Sequence, residues 1–156
     1  QGDILGHVLQ IDADRWIPAE EPDLPSGEIM FTKNTPYDFN TPTPIGPYSQ
    51  AVTSGDVVFL SGQIGIDPAT GNITGNADEQ ATRAMENLRA ILQESGLSFE
   101  DVVQTRIYVV NMSDWTAVNG IYGSYFTGRY PARATIQTAG LPKGALVEIE
   151  MVAQMR

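Results

Sequence analysis

The chain has 156 residues, a formal net charge of −10 and an apolar content of 42%, which are the size and composition of one globular domain. It contains no cysteine, which excludes thiolate chemistry and disulfides. It contains one histidine, His7, which excludes metal sites built from two or three histidines. The acidic balance argues against nucleic acid or anionic membranes as partners, because both bind to a basic face.

Residues 1–42 are predicted to form an acidic, proline-containing N-terminal extension, followed by a folded domain over residues 43–156. The extension has little apolar periodicity, so we expect it to be irregular, either disordered or draped over a neighbouring surface. Its apolar residues, such as Trp16, Ile29 and Phe31, favour draping, with a neighbouring subunit or another protein as the contact. Because the first residue is Gln1, we expect a processed form, exported or imported into an organelle, rather than a cytoplasmic one; an artificial boundary is the alternative.

The first half of the domain shows a hairpin and a helix. Short runs rich in β-formers at residues 48–53 and 57–63 flank a turn at residues 54–56, which predicts two antiparallel strands. Asn76 and Glu79 have the spacing of a capping box, and an apolar stripe then continues until Gly96 stops the helix.

The second half repeats the alternation of strand and helix. Residues 102–110 predict a strand with Val103, Thr105, Ile107 and Val109 on one face. A second helix is predicted over residues 113–126, with Ser113 as its N-cap and an inward face formed by Trp115, Val118, Ile121, Tyr122 and Phe126. Two strands follow at residues 134–139 and 145–155.

The order ββαβαββ predicts a two-layer α+β domain with two helices on one face of a mixed sheet. In the last strand Val147, Ile149 and Met151 alternate with Glu148 and Glu150, so the two carboxylates share one face. The open face of such a sheet is partly apolar and usually pairs with another subunit, which predicts an oligomer.

Arg133, between two predicted strands, is the first candidate for chemistry because its planar guanidinium matches a carboxylate bidentately. In that position we expect it to be partly buried and to need an anionic partner. That partner is either a ligand or, in a purely structural interpretation, Glu148 or Glu150. One of these two glutamates could orient a water or carry a proton, while the other is solvated.

Three further positions have both a structural and a functional interpretation. Tyr48 follows a rigid Gly-Pro turn, where its phenol either lines a site or packs at the start of a strand. Gly62, after Ser61, either admits a ligand to the backbone or marks a strand bulge. Asn119 is followed by glycine within a helix, a pair of poor helix formers that a close packing contact would explain.

Five segments taken together resemble the reactive intermediate deaminase (Rid, or YjgF) family, in order and at family spacing over residues 43–156. The segments are residues 45–50, 61–64, 118–119, 130–133 and 141–150. The resemblance implies a chorismate-mutase-like fold, a homotrimer and active sites in the clefts between subunits. It also implies hydrolysis of 2-imino acids or their enamine tautomers, such as 2-aminoacrylate, to 2-keto acids and ammonia without metal or cofactor.

Carried over by position, the resemblance implies that Arg133 holds the substrate carboxylate and that Glu148 positions or activates the attacking water. Tyr48 would line the pocket, and Ser61, Gly62 and Asn119 would shape it.

The chain departs from the family at Thr135, which also lies in the implied pocket and occupies a position where many members have cysteine. The segment between Phe126 and Pro131 is shorter than in many relatives, and the family's common forms lack the extension.

The alternative function is binding without turnover. In that case a trimer keeps the carboxylate site but only binds small molecules or proteins.

Overall fold

The computed structural model describes residues 29–31 and 48–155 of the chain. Predictions concerning Gln1, His7, Trp16, the turn before Tyr48 and the rest of the extension lie outside these residues. The described part contains two helices and six strands: β1 (Ile29–Phe31), β2 (Ala51–Ser54), β3 (Val57–Ile64), α1 (Ala77–Glu94), β4 (Val102–Val109), α2 (Trp115–Gly123), β5 (Ala132–Gln137) and β6 (Val147–Gln154).

The strands form one mixed sheet in the order β1-β2-β3-β6-β4-β5. β4 and β5 are parallel, and the other neighbours are antiparallel. The last strand of the chain therefore lies in the middle of the sheet, between the hairpin β2–β3 and the strand β4. This placement is the reason that β6 is long, alternating and rich in buried apolar residues.

Local signals explain the predicted elements. Gly55, with φ of 60°, lets two residues close the β2–β3 hairpin. The capping box of α1 is present, since Asn76 Oδ1 accepts from the Glu79 amide at 3.0 Å and Glu79 Oε1 accepts from the Asn76 amide at 2.9 Å. Gly96, with φ of 76°, follows the end of the helix as expected.

The core lies between the two helices and one face of the sheet. Leu88 and Ile91 of α1 and Val118 and Tyr122 of α2 join one apolar cluster with strand residues such as Ile149. On the opposite face Phe59 is 49% exposed, and Glu148 and Glu150 are only partly buried. The predicted two-layer α+β class, with both helices on one face, is confirmed. Neither helix in the described residues is long and apolar enough to cross a membrane.

Three details of the predicted elements are wrong. Within the extension, which we expected to be irregular, Ile29–Phe31 forms an edge strand that pairs with β2. Val103 is 47% exposed rather than inward-facing, because an irregularity between Val102 and Gln104 turns Val102 into the core instead. The N-cap is not Ser113: Asn111 Oδ1 accepts from the Ser113 amide and caps a 3₁₀ turn that precedes α2.

Candidate functional site

Arg133 lies within β5 rather than ahead of it, because the strand begins two residues earlier than predicted. β5 runs parallel to β4 with Arg133 opposite Thr105, which is buried on the helix-covered face. Arg133 therefore emerges at the sheet edge on the side of α2. Its Nη1 donates to Asn119 Oδ1 at 2.6 Å, and its guanidinium carbon lies 5.2 Å from the centre of the Tyr122 ring and 5.9 Å from that of Trp115.

One face of α2 supplies all three of these partners. Trp115, Asn119 and Tyr122 are spaced by four and three residues, so their side chains lie on the same side of the helix. The predicted inward face included Trp115 and Tyr122 as packing residues only. Their helical spacing places Asn119 on the same face. This spacing is the signal in the sequence that could have revealed the cluster.

The environment of Arg133 differs from the prediction in one respect. Its side chain is exposed rather than partly buried, and no carboxylate among residues 48–155 forms an ion pair with it. Glu150, one of the two structural partners considered, pairs instead with Arg106. Only one of the five guanidinium N–H groups is directed at Asn119, and the others have no hydrogen-bond acceptor among the described residues, so an exposed cation faces the adjacent space.

That space is a cleft of about 410 Å³ lined by Asn119, Tyr122, Gly123, Tyr130, Pro131 and Arg133. Its volume suits a small organic acid. Thr135 lies two residues further along the same face of β5, and its hydroxyl is buried with no hydrogen-bond partner in the described part of the chain. A buried hydroxyl without a partner costs free energy, and Thr135 is not among the described residues that line this cleft.

Glu148 lies on the opposite face of the sheet, over Gly62. A Cβ built on Gly62 would lie 2.9 Å from Glu148 Cδ and closer still to one carboxylate oxygen, so any larger residue at this position would force the Glu148 side chain to shift. The pairing of β3 with β6 is irregular between Leu60 and Gln63, which identifies the bulge considered for Ser61 and Gly62. Ser61 Oγ donates to the Ser49 carbonyl at 2.6 Å and thereby fixes the bulge to the start of β2.

Burial raises the pKa of the Glu148 carboxyl, and the neighbouring negative charge of Glu150 raises that pKa further. The donors of Arg106 and Tyr108 approach Glu150 instead, at 3.1 Å and 3.5 Å. Glu148 is thus a half-buried carboxylate with a strengthened affinity for a proton, which is the property expected of a general base or acid.

The predicted site residues consequently fall into two groups. Arg133 and Asn119, together with Tyr122 and Tyr130, form the arginine half-site, with Thr135 further along β5. Glu148 and Gly62 form the glutamate half-site, with Ser61 next to Gly62 in the bulge. Tyr48 is partly buried and immediately precedes Ser49, whose carbonyl accepts from the Ser61 hydroxyl.

The two half-sites do not meet within one chain. Arg133 and Glu148 are opposite β4 residues three positions apart, namely Thr105 and Tyr108. Two strand spacings and three residues along the strand separate their backbones by about 14 Å, and their side chains leave opposite faces.

A second cleft, also of about 410 Å³, lies near the C-terminal end of α1 and includes none of the predicted site residues. Its Arg89 lies 5.1 Å from the centre of the Tyr125 ring and 3.6 Å from Glu86 Oε2. A carboxylate therefore already accompanies Arg89, whereas none of residues 48–155 pairs with Arg133 in the arginine half-site.

Tyr122 links the arginine half-site to the core. Its hydroxyl donates to Thr105 Oγ1 at 3.0 Å, and burial raises the pKa of the phenol, so the donor stays protonated. We expect Tyr122→Phe to lower the free energy of unfolding by about 1–2 kcal/mol, since the buried Thr105 hydroxyl loses this partner while the ring beside Arg133 remains. Urea denaturation monitored by circular dichroism would measure this change, and an unchanged midpoint would contradict it.

The fold and the site can be compared with known proteins. The family model described as Endoribonuclease L-PSP matches residues 39–155. Protein DfrA of Myxococcus xanthus is 51% identical over 115 residues, which cover 72% of this chain and 88% of that protein. The 2-iminobutanoate/2-iminopropanoate deaminase of Mus musculus is 46% identical over 113 residues, which cover 72% of this chain and 84% of that enzyme.

Among solved structures, that of E. coli TdcF with bound serine has a TM-score of 0.74 at 36% identity and covers 77% of this chain and 97% of TdcF. Several other relatives are named only as RutC family proteins, including one of Pyrococcus horikoshii that is 42% identical over 127 residues, or 81% of this chain and 96% of that protein. Sequence, fold and extent of coverage agree, and the chain therefore belongs to the Rid family, also called the YjgF or RutC family.

Proposed function

We propose that this protein hydrolyses small 2-imino acids and their enamine tautomers, such as 2-iminopropanoate and 2-aminoacrylate, to 2-keto acids and ammonia. The observation that carries the proposal is the exposed guanidinium of Arg133, which Asn119 and the Tyr122 ring orient in a cleft of small-molecule size. No carboxylate of residues 48–155 pairs with it. The names of the mammalian relatives support the same reaction class.

The proposed active site combines the arginine half-site of one subunit with the glutamate half-site of its neighbour. The two half-sites leave opposite faces of one chain, so Arg133 and Glu148 can act on the same molecule only if another copy completes each site. We propose a homotrimer, in which the open sheet face, with its exposed Phe59, packs against a neighbouring subunit.

In the proposed reaction, Arg133 binds the substrate carboxylate. Glu148 accepts a proton from water while the water oxygen forms a bond to the electrophilic imine carbon. That proton passes to nitrogen and gives a carbinolamine. Glu148 then carries the proton of the new hydroxyl group to nitrogen, the carbon–nitrogen bond breaks, and ammonia leaves as the keto group forms. Tyr48 and Ser61 line the opposite wall. An imine carbon is already electrophilic, so orientation and one proton carrier suffice.

Cleavage of RNA, which the description of the family model suggests, fits this chain poorly. The chain has a net charge of −10, whereas binding to a phosphate backbone requires a basic surface. Arg133 is one cation in a cleft whose other lining residues are uncharged. One carboxylate of a small acid matches this arrangement better than a polyanion does.

A coupled assay tests the proposed function. An amino-acid oxidase generates the imino acid from alanine or 2-aminobutyrate, and keto-acid release is followed with and without this protein. We expect saturable acceleration over the spontaneous hydrolysis. Saturable binding of 2-ketobutyrate without any acceleration would reject turnover and favour a trimer that only binds such acids.

Gly62→Ala tests the glutamate half-site without removing a functional group. The new methyl group would occupy the space of the Glu148 carboxylate, which sits at the end of a flexible side chain and can shift. We expect kcat to fall about tenfold with the fold intact, because a displacement of about 1 Å is costly in general acid–base catalysis. Gly120→Ala is the matched control, since a Cβ there meets nothing within 4 Å. Equal kcat values for the two variants would contradict the role of Gly62.

A further inference from the structure

We propose that Arg106 and Glu150 form a positioning pair that assigns the proton-carrying role to Glu148 and withholds it from Glu150. This inference rests on the proposed function, because it explains how one of two neighbouring carboxylates becomes the proton carrier. It concerns two residues to which the comparison with known proteins assigns no role.

The pair is built across two strands on the open face of the sheet. Arg106 of β4 is opposite Glu150 of β6, and its Nη1 lies 3.1 Å from Glu150 Oε2. Tyr108, which is opposite Glu148, directs its hydroxyl toward Glu150 Oε1 at 3.5 Å rather than toward its own cross-strand neighbour. Both donors of β4 that face this region therefore approach the same carboxylate.

Glu148 has no corresponding partner. From β3 it faces Gly62, which has no side chain, while the hydroxyl of the preceding Ser61 donates to the Ser49 carbonyl. From β6 it faces Glu150, two residues along the same side of the strand. Within the described residues, no cation forms an ion pair with Glu148.

Two adjacent carboxylates therefore occupy opposite environments. Glu150 is approached by the donors of Arg106 and Tyr108, while burial and the neighbouring charge of Glu150 raise the pKa of Glu148. Neighbouring carboxylates whose environments differ in this way divide acid–base roles between them. If Arg106 were absent, the charge of Glu150 would act on Glu148 without a neighbouring cation to offset it.

Substitution of Glu150 and substitution of Arg106 should shift the pH dependence of kcat in opposite directions. Glu150→Gln removes the negative neighbour, which lowers the pKa of Glu148 and moves the acidic limb of the pH–rate profile to lower pH. Arg106→Met has the reverse effect. At a fixed pH on that limb we expect a rate about threefold higher for Glu150→Gln and about threefold lower for Arg106→Met, with Arg106→Lys close to wild type.

The test combines kcat profiles between pH 4 and 8 with titration of the Glu148 side-chain carboxyl by carbon-13 NMR, assigned by comparison with Glu148→Gln. The titration needs no turnover, so it remains informative even if the proposed deaminase activity is absent. Opposite shifts of the Glu148 titration in Glu150→Gln and Arg106→Met support the pair. Shifts in the same direction, or an unchanged titration with altered stability alone, would overturn it and leave a cross-strand ion pair of purely structural role.

Discussion

Replacement of Arg133 by alanine is expected to lower kcat/KM for 2-iminopropanoate about a hundredfold while the protein remains folded. A bidentate, charge-assisted contact to a carboxylate contributes a few kcal/mol, and Arg133 is held for such a contact by Asn119 at 2.6 Å. Because the side chain is exposed and makes no ion pair in the described residues, its removal leaves no buried charge behind. Stability should therefore change by less than about 0.5 kcal/mol.

The matched control for this variant is Arg129→Ala. Arg129 is also exposed and only four residues away, but it lines the second cleft rather than the arginine half-site. Both variants remove one positive charge, so a general effect of net charge would be the same in each. Comparable kcat/KM values for the two variants in the oxidase-coupled assay would exclude Arg133 as the carboxylate ligand.

Glu148→Gln is expected to lower kcat about a hundredfold with a small change in KM, because the amide cannot accept a proton from water. The raised pKa has a consequence for stability as well. A carboxyl whose folded-state pKa is raised contributes stability below its unfolded-state pKa and loses it as pH rises through the folded value. Above that folded value the ionised Glu148 is thus a cost to the fold, and there Glu148→Gln should unfold at the same or a higher temperature than wild type.

Loss of activity together with retained or increased stability separates a catalytic carboxylate from a structural one. Glu100→Gln is a suitable control, since Glu100 is an exposed carboxylate in the 3₁₀ turn before β4. Differential scanning calorimetry and steady-state kinetics on the same preparations provide both measurements. A drop in melting temperature of several degrees for Glu148→Gln alone would indicate that Glu148 stabilises the fold instead.

The alternation of apolar residues made much of the fold predictable. The capping box at Asn76, the stop at Gly96 and the face shared by Glu148 and Glu150 depend on residues close in sequence, and the structure contains all three. The ends of the strands and helices were less predictable. β5 begins at Ala132 among small, exposed residues that carry little periodicity, so the sequence placed Arg133 outside the strand that contains it.

The contacts of the site were harder to foresee because they depend on register between distant strands. Nothing local indicates that Arg106 pairs with Glu150, a residue 44 positions away, or that the carboxylate of Glu148 fills the space above Gly62. The division of the site between two faces of the sheet also follows from strand order, since β4 separates β5 from β6. The resemblance to the Rid family implied a shared cleft, and the positions of Arg133 and Glu148 give a physical reason for it.

Mixed oligomers test the shared site most directly. Arg133→Ala and Glu148→Gln subunits, each inactive alone, are denatured together in equal amounts and refolded, so that the oligomers contain both variants at random. In a closed ring, a site regains both residues when an intact arginine half-site meets an intact glutamate half-site, which has a probability of about one quarter. We therefore predict recovery of about a quarter of the wild-type activity, whereas no recovery from correctly assembled mixed oligomers would show that the two residues do not act across a subunit boundary.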